Sequence, residues 1–136
     1  MTALDRLFLW WQSRKARRKM ERVFGRGEDP YGYRGSPYEM ARLSAMQESL
    51  GDLKDAVILE IGCAEGAFTE RLKSRARRLL AVDISGVALS RARRLESPGV
   101  EFFEGDIRKW EPPADLRFDL IVLRSEEHTS ELQSQR

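Results

Sequence analysis

The stretch that most constrains the fold of this chain is Val57–Thr69, which reads VILEIGCAEGAFT. An apolar run of strand type ends at an acidic residue, and two glycines, Gly62 and Gly66, precede residues that are typical of a helix start. Glycines at such a position let the backbone turn sharply and let a ligand approach the amide groups at a helix N-terminus. The stretch therefore predicts the strand, turn and helix of a nucleotide-binding α/β unit.

The residues of the glycine loop discriminate between two classes of cofactor. The dinucleotide pattern G-x-G-x-x-G reads Gly62, Ala64 and Ala67 here, so a methyl group stands where a pyrophosphate must come closest to the backbone. Glu60 and Glu65 flank the same spot, where two carboxylates disfavour a pyrophosphate and favour a sulfonium or an α-amino group. The loop favours S-adenosylmethionine, and a nicotinamide-dependent oxidoreductase remains the alternative.

Two further acids follow predicted strands. Leu79–Val82 reads as the second strand with Asp83 at its carboxyl end, where ligands of open α/β sheets bind. An acid there can accept hydrogen bonds from a ribose diol, and the alternative role of a helix cap is already filled by Ser85. Asp106 follows a third predicted strand, Val100–Phe103, and is an adenine-site candidate as well as an ordinary turn residue. The arginine-rich residues 71–78, which lie before the second predicted strand, are predicted to be the solvated side of the first crossover helix.

These motifs resemble those of class I S-adenosylmethionine-dependent methyltransferases. Glu60–Gly66 looks like their motif I, and Leu59–Leu72, LEIGCAEGAFTERL, is similar to the nodulation protein S branch of N-methyltransferases. Gly105–Ile107 resembles the adenine-contacting turn of the family, and Phe118–Leu123 resembles its fourth strand. With upstream residues 29–39 included, the resemblance covers roughly residues 29 to 123.

The resemblance implies a fold, a cofactor and a set of contacts. The fold would be α/β and Rossmann-like, with a doubly wound, mostly parallel sheet of which only the first four strands are present. The cofactor would be S-adenosyl-L-methionine, its methionine portion held at motif I, its ribose at the second strand and its adenine after the third. The implied cofactor-binding residues are Glu60, Gly62, Cys63, Ala64, Gly66, Asp83, Ile84, Asp106 and Ile107.

The resemblance also suggests a reaction. In the intact enzyme a small-molecule acceptor, perhaps an amine on an amino sugar, would displace the sulfonium methyl group in line, with catalysis coming chiefly from proximity and orientation. The motifs identify no catalytic residue and no metal ligand set.

Residues 1–24 form a separate basic segment with seven Lys/Arg against Asp5 and Glu21. Leu4, Leu7, Phe8 and Trp11 fall at helical spacing, so a helix with an apolar face and strongly basic following turns is predicted. The apolar run is too short to span a bilayer. Three interpretations stay open: an accessory helix packed on the domain or on a second subunit, a peripheral helix on anionic lipid, and, least favoured, a nucleic acid-binding arm.

Residues 25–55 are predicted to hold a loop and a lid helix. Ser36, Pro37 and Glu39 give a capping box, and Gly51 ends the helix. Its expected buried face consists of Met40, Leu43, Met46 or Gln47, and Leu50. Tyr31, Tyr33 and Tyr38 are candidate lid residues, with ordinary surface or core positions as the alternative.

Composition fits a soluble single domain of 136 residues with 41% apolar and 34% charged residues. The lone cysteine, Cys63, excludes an intramolecular disulfide framework and, with no signal peptide in the sequence, indicates a cytoplasmic protein. Inside the loop we expect Cys63 to serve as a small residue and not as a nucleophile.

The last residues do not continue the pattern. Residues 56–123 are predicted to be a partial cofactor-binding domain, whereas residues 124–136 show no helix or strand period and match the in-frame translation of a sequencing adapter through eleven consecutive residues. We therefore expect residues 124–136 to be foreign, and His128 to carry no catalytic meaning. The fourth strand would then lack a neighbour, so the chain is expected to be inactive and either poorly soluble or partly unfolded.

Overall fold

The computed structural model describes residues 2–30 and 36–124 as helices packed on a parallel β-sheet. The order of strands across the sheet is β3-β2-β1-β4, and all neighbouring strands are parallel. This arrangement confirms the predicted Rossmann-like α/β fold. The helices are α1 (Ala3–Gly25), α2 (Pro37–Ser49), α3 (Thr69–Leu72) and α4 (Gly86–Ala92), and the strands are β1 (Ala56–Ile61), β2 (Ala76–Asp83), β3 (Val100–Glu104) and β4 (Leu120–Leu123).

The core lies mainly on one face of the sheet. Alternate strand residues such as Ile58 and Leu79 pack there against Leu43 of α2, Leu72 of α3 and Leu89 of α4. Their neighbours Leu59, Leu80 and Val82 point to the opposite face, which is covered by Phe103 and by side chains of the segment 105–119. This division follows from the period of two along a strand.

The second helix has the predicted ends. Ser36 Oγ accepts a hydrogen bond from the Glu39 amide, Pro37 begins the helix, and Gly51 follows with φ of +56°. Leu43 is buried and Met46 and Leu50 pack against the core, but Met40 is exposed, contrary to the prediction. Tyr38 is also exposed, and Tyr31 and Tyr33 lie outside the described residues.

The second strand begins earlier than predicted. Helix α3 ends at Leu72, a single 3₁₀ turn follows, and β2 starts at Ala76, so Arg77 and Arg78 lie on a strand and not on a helix. Arg78 forms an ion pair with Glu101 of β3, with 3.1 Å between Nη2 and Oε1. A strand can continue through these charged residues because Arg77 is exposed and Arg78 is only partly buried, so neither loses its contact with water.

Candidate cofactor-binding site

A cavity opens at the carboxyl ends of the strands, beside the glycine loop. It lies where an open parallel sheet is expected to bind ligands. Its wall is formed by α1, the glycine loop, the ends of β2 and β4, and the turn after β3. The lining residues are Ala16, Met20, Phe24, Ile61, Gly62, Ala64, Val82, Asp83, Ile84, Gly105, Asp106, Ile107, Arg108, Leu123 and Arg124.

The glycine loop directs its amides into the protein. Gly62 and Cys63 both donate to the carbonyl oxygen of Val82, at 2.8 and 3.2 Å, and Gly66 donates to Cys63 O at 3.0 Å. Ala64, in the left-handed region with φ of +52°, donates to Asp83 Oδ2 at 2.8 Å. A pyrophosphate site needs such amides to point at the ligand. Their internal use is a second argument against the dinucleotide alternative, alongside the Ala64 methyl group.

The two glycines serve different purposes. Gly62 has φ of +80°, and a Cβ there would overlap the carbonyl oxygen of Arg124. Gly66 has φ of +92°, and a Cβ there would come within 2.9 Å of Leu95 Cδ1. Gly62 therefore lets the end of β4 approach the loop at the cavity wall, whereas Gly66 allows close packing behind it.

Asp83 joins the loop to the turn after β2. Its Oδ2 accepts from the Ala64 amide, and its Oδ1 accepts from the Ser85 amide at 2.9 Å. Burial raises the pKa of Asp83, although the amides of Ser85, Ala64 and Ile84 act in the opposite direction. Ser85 is the predicted cap of α4, since its hydroxyl accepts from the Ala88 amide. Each carboxylate oxygen of Asp83 can still accept a further hydrogen bond from a ligand at the cavity wall.

Asp106 is held by its neighbour Arg108. The Arg108 amide, Nε and Nη2 all donate to the Asp106 carboxylate, the last at 2.6 Å. Burial alone would raise the pKa of Asp106, but the hydrogen bonds and the positive charge of Arg108 outweigh it and lower the pKa to about 2. Asp106 is therefore an anion at neutral pH. Arg108 itself lines the cavity and was not among the predicted site residues.

Glu60 lies beneath the loop, outside the cavity lining. Its Oε1 accepts from the Thr69 hydroxyl at 2.5 Å, and its fully buried Oε2 has no hydrogen-bond partner among the described residues. Burial raises the pKa of Glu60 to about 7, against the opposing effects of Thr69 and Arg124. This carboxyl group therefore keeps its proton to a higher pH than an exposed glutamate does.

The structure brings most of the predicted residues to one cavity. Six of them, Gly62, Ala64, Asp83, Ile84, Asp106 and Ile107, contribute to its wall. Glu60, Cys63 and Gly66 lie behind that wall; Cys63 is fully buried, and burial raises the pKa of its thiol well above the usual value. Arg124, expected to be the first foreign residue, is buried with its guanidinium 5.6 Å from the Phe68 ring centroid. Residues 125–136 lie outside the described part of the chain.

The first helix supplies the part of the wall that the sequence did not predict. Phe24 is buried against Ala64 and Ala88, and Met20 packs beside it. Glu21 accepts a hydrogen bond from the Gly86 amide at 2.6 Å. The cavity lining includes no residue of α2, the predicted lid helix. Met20 and Phe24 recur at i and i+4, a helical signal that the run of basic residues at positions 14–19 obscures.

The chain matches the sequence model of the nodulation protein S (NodS) family over residues 15–127. It is 36% identical over 101 residues to nodulation protein S of Sinorhizobium fredii, covering 71% of this chain and 45% of that protein. It is 35% identical over 99 residues to nodulation protein S of Rhizobium tropici, covering 71% and 41%. The chain thus spans about half the length of the curated relatives it matches.

A solved structure agrees with these sequence relationships. The N-methyltransferase NodS from Bradyrhizobium japonicum WM9, in complex with S-adenosyl-L-homocysteine, superimposes with a TM-score of 0.68 at 32% identity, over 77% of this chain and 54% of that chain. A shorter match, 47% identical over 64 residues, is to ribosomal RNA small subunit methyltransferase A of Koribacter versatilis, covering 44% of this chain and 22% of that protein. The described four-stranded parallel sheet with its flanking helices therefore matches the Rossmann-like methyltransferase fold.

Proposed function

Because this chain belongs to the nodulation protein S family, we propose that it is the S-adenosyl-L-methionine-binding part of a methyltransferase. The observation that carries the proposal is the cavity at the carboxyl ends of the strands, where Asp83 and Asp106 lie on one wall with Ile107. The S-adenosyl-L-homocysteine complex of the Bradyrhizobium japonicum relative supports the same ligand class.

The described residues fit this cofactor better than a dinucleotide. S-adenosyl-L-methionine supplies an activated methyl group on a positively charged sulfur. Asp83 offers carboxylate lone pairs to ribose hydroxyls, while Ile107 and Met20 offer apolar surface to the adenine ring. The loop presents Ala64 in place of a phosphate-binding glycine and uses its amides internally. Helix α1 keeps water from one side of the cavity.

Cofactor binding is tested by titrating the 136-residue chain with S-adenosyl-L-homocysteine and with NADH in a calorimeter. We expect heat of binding with S-adenosyl-L-homocysteine and none with NADH. Ile107→Asp, which puts a charge on the cavity wall, should weaken binding about tenfold or more, since it desolvates a carboxylate against the ligand. Leu4→Asp, the same change in charge at a position that is 77% exposed and outside the cavity lining, should leave it unchanged. Binding of NADH alone, by a chain with a native circular dichroism spectrum, would reject the proposal.

For the acceptor we propose a primary or secondary amine on a small molecule such as an amino sugar. The support is the identity of the Bradyrhizobium japonicum relative, an N-methyltransferase. The gene should be resequenced across the codons for residues 118–136, and its product incubated with methyl-labelled cofactor and glucosamine oligomers. Label should enter oligomers with a free amine and not fully N-acetylated ones. Equal labelling of both would indicate transfer to a hydroxyl group and contradict the amine.

A further inference from the structure

Helix α1 packs on the domain through one side of its carboxyl-terminal half. At 100° per residue, Ser13, Met20 and Phe24 lie on one side of the helix. Ser13 and Phe24 are buried, and Met20 packs on the cluster around Phe24 and Ala88. This inward face is the one that walls the cavity.

The outward face changes character along the helix. Leu4, Leu7 and Trp11 are roughly opposite the inward face and are 77%, 60% and 53% exposed. The same stripe continues through three exposed cations, Lys15, Arg18 and Arg22. An apolar end and a basic end therefore share one side of one helix, and the domain covers neither.

The positive charge of this stripe is not offset by acidic residues on the same side of the helix. Glu21 is the one acidic residue between positions 13 and 24, and its carboxylate is turned to the domain, where it accepts from the Gly86 amide. The Lys15 ammonium lies 5.3 Å from the Trp11 ring centroid. An aromatic ring beside a cation is the combination that favours the headgroup level of a bilayer.

We propose that the outward face of α1 (Leu4, Leu7, Trp11, Lys15, Arg18 and Arg22) docks on an anionic lipid surface. Apolar side chains enter the headgroup boundary while the basic residues meet lipid phosphates, so the helix lies in the plane of the interface. A nucleic acid backbone would engage the cations but would leave Leu4 and Leu7 in water, which is why lipid is favoured. Among the described helices, none is long and apolar enough to cross a membrane, and this proposal requires none. It is independent of the cofactor proposal.

The proposal is tested by flotation of the 136-residue chain with vesicles of phosphatidylcholine alone and of phosphatidylcholine mixed with phosphatidylglycerol. We expect binding to the mixed vesicles, a blue shift of tryptophan fluorescence on binding, and release by salt. The variant Lys15→Glu/Arg18→Glu/Arg22→Glu should bind the mixed vesicles at least roughly 100-fold more weakly than the unaltered chain does. Leu7→Ser/Trp11→Ser should also reduce binding, and tests the apolar half separately. All these side chains lie on the outward face, so circular dichroism should show an unchanged fold.

A matched control separates the helix from net charge. Lys54→Glu/Lys73→Glu/Arg77→Glu makes the same change in charge at exposed positions away from α1, and it should bind as the unaltered chain does. Equal loss in both triple variants would overturn the proposal, as would equal binding to the two kinds of vesicle. Binding of duplex DNA through the α1 cations, with no binding to vesicles, would also overturn it and assign a nucleic acid arm.

Discussion

Gly62 is the loop residue at which a side chain would be tolerated least. Its φ is +80°, and the space of a Cβ is filled by a backbone carbonyl, which cannot rotate away as a side chain can. We expect Gly62→Ala to lower the free energy of unfolding by about 2 kcal/mol or more, through the left-handed conformation and the overlap together.

The control for this change is Gly25→Ala. Gly25 ends α1, and nothing lies within 4 Å of the position of its Cβ. Alanine there should be neutral or slightly stabilising. Urea unfolding followed by circular dichroism gives both values, and equal stability of the two variants would contradict the described approach of β4 to the loop.

Glu60 makes stability depend on pH. Its folded pKa of about 7 lies above the ordinary 4.5, so between these values the folded state holds a proton that the unfolded state has lost. The contribution of Glu60 to the free energy of unfolding should therefore be greatest at and below pH 4.5 and fall as pH rises to about 7, by no more than about 3 kcal/mol.

Glu60→Gln should remove this contribution, because the amide cannot ionise while its oxygen can still accept from Thr69. We expect the variant to gain stability relative to the unaltered chain between about pH 5 and about pH 8, by urea unfolding at each pH. Glu111→Gln, at an exposed carboxylate, is the control, and its free energy of unfolding should follow that of the unaltered chain at every pH. A Glu60→Gln curve parallel to that of the unaltered chain would mean that Glu60 is ionised throughout.

At the scale of the element, the sequence predicts those features that depend on residues close together in the chain. The cap at Ser36, the glycine loop and the acids after β2 and β3 all depend on neighbours close in sequence, and the structure has the corresponding cap, turn and strand ends. The sequence predicts too late a start for β2 because Arg77 and Arg78 interrupt the apolar run that indicates a strand. Arg78 pairs with Glu101 of β3, a partner that is distant in sequence.

The packing of α1 could not be predicted in this way. The periodicity of Leu4, Leu7 and Trp11 indicated an apolar face, but the helix packs through the other side. Phe24 is buried because the tertiary fold brings two small residues, Ala64 and Ala88, against it. A sequence pattern shows which residues share a face and not which surface will cover them.

The anchoring of α1 gives a prediction for the whole helix. Phe24→Ala should destabilise the chain by about 3 kcal/mol through the loss of a buried ring, and should weaken S-adenosyl-L-homocysteine binding because α1 walls the cavity. Leu4→Ala, on the exposed stripe of the same helix, should change neither quantity. Thermal unfolding and calorimetry measure the two effects. Native stability with Phe24 removed would show that α1 is not held by this contact.

At the scale of the molecule, the sheet is covered unevenly. Leu120 and Val122 of β4 pack against the core on the side of α2 and α3, whereas Ile121 and Leu123 on the other face are exposed. Among the described residues β4 pairs with β1 alone, so its other edge carries unpaired backbone groups. An exposed apolar edge strand is a template for association with another chain.

We therefore expect the chain to associate as its concentration rises, which sedimentation velocity would measure. Ile121→Asp should shift the population toward monomer, because it places a charge on the exposed face of the edge strand. Tyr38→Asp is the control: Tyr38 is 63% exposed and Ile121 57%, but Tyr38 lies at the start of α2. If association depended only on total exposed apolar area, the two variants would act alike. A chain that stays monomeric at all concentrations and unfolds cooperatively would show that this edge needs no neighbour, and would remove the argument for partial unfolding.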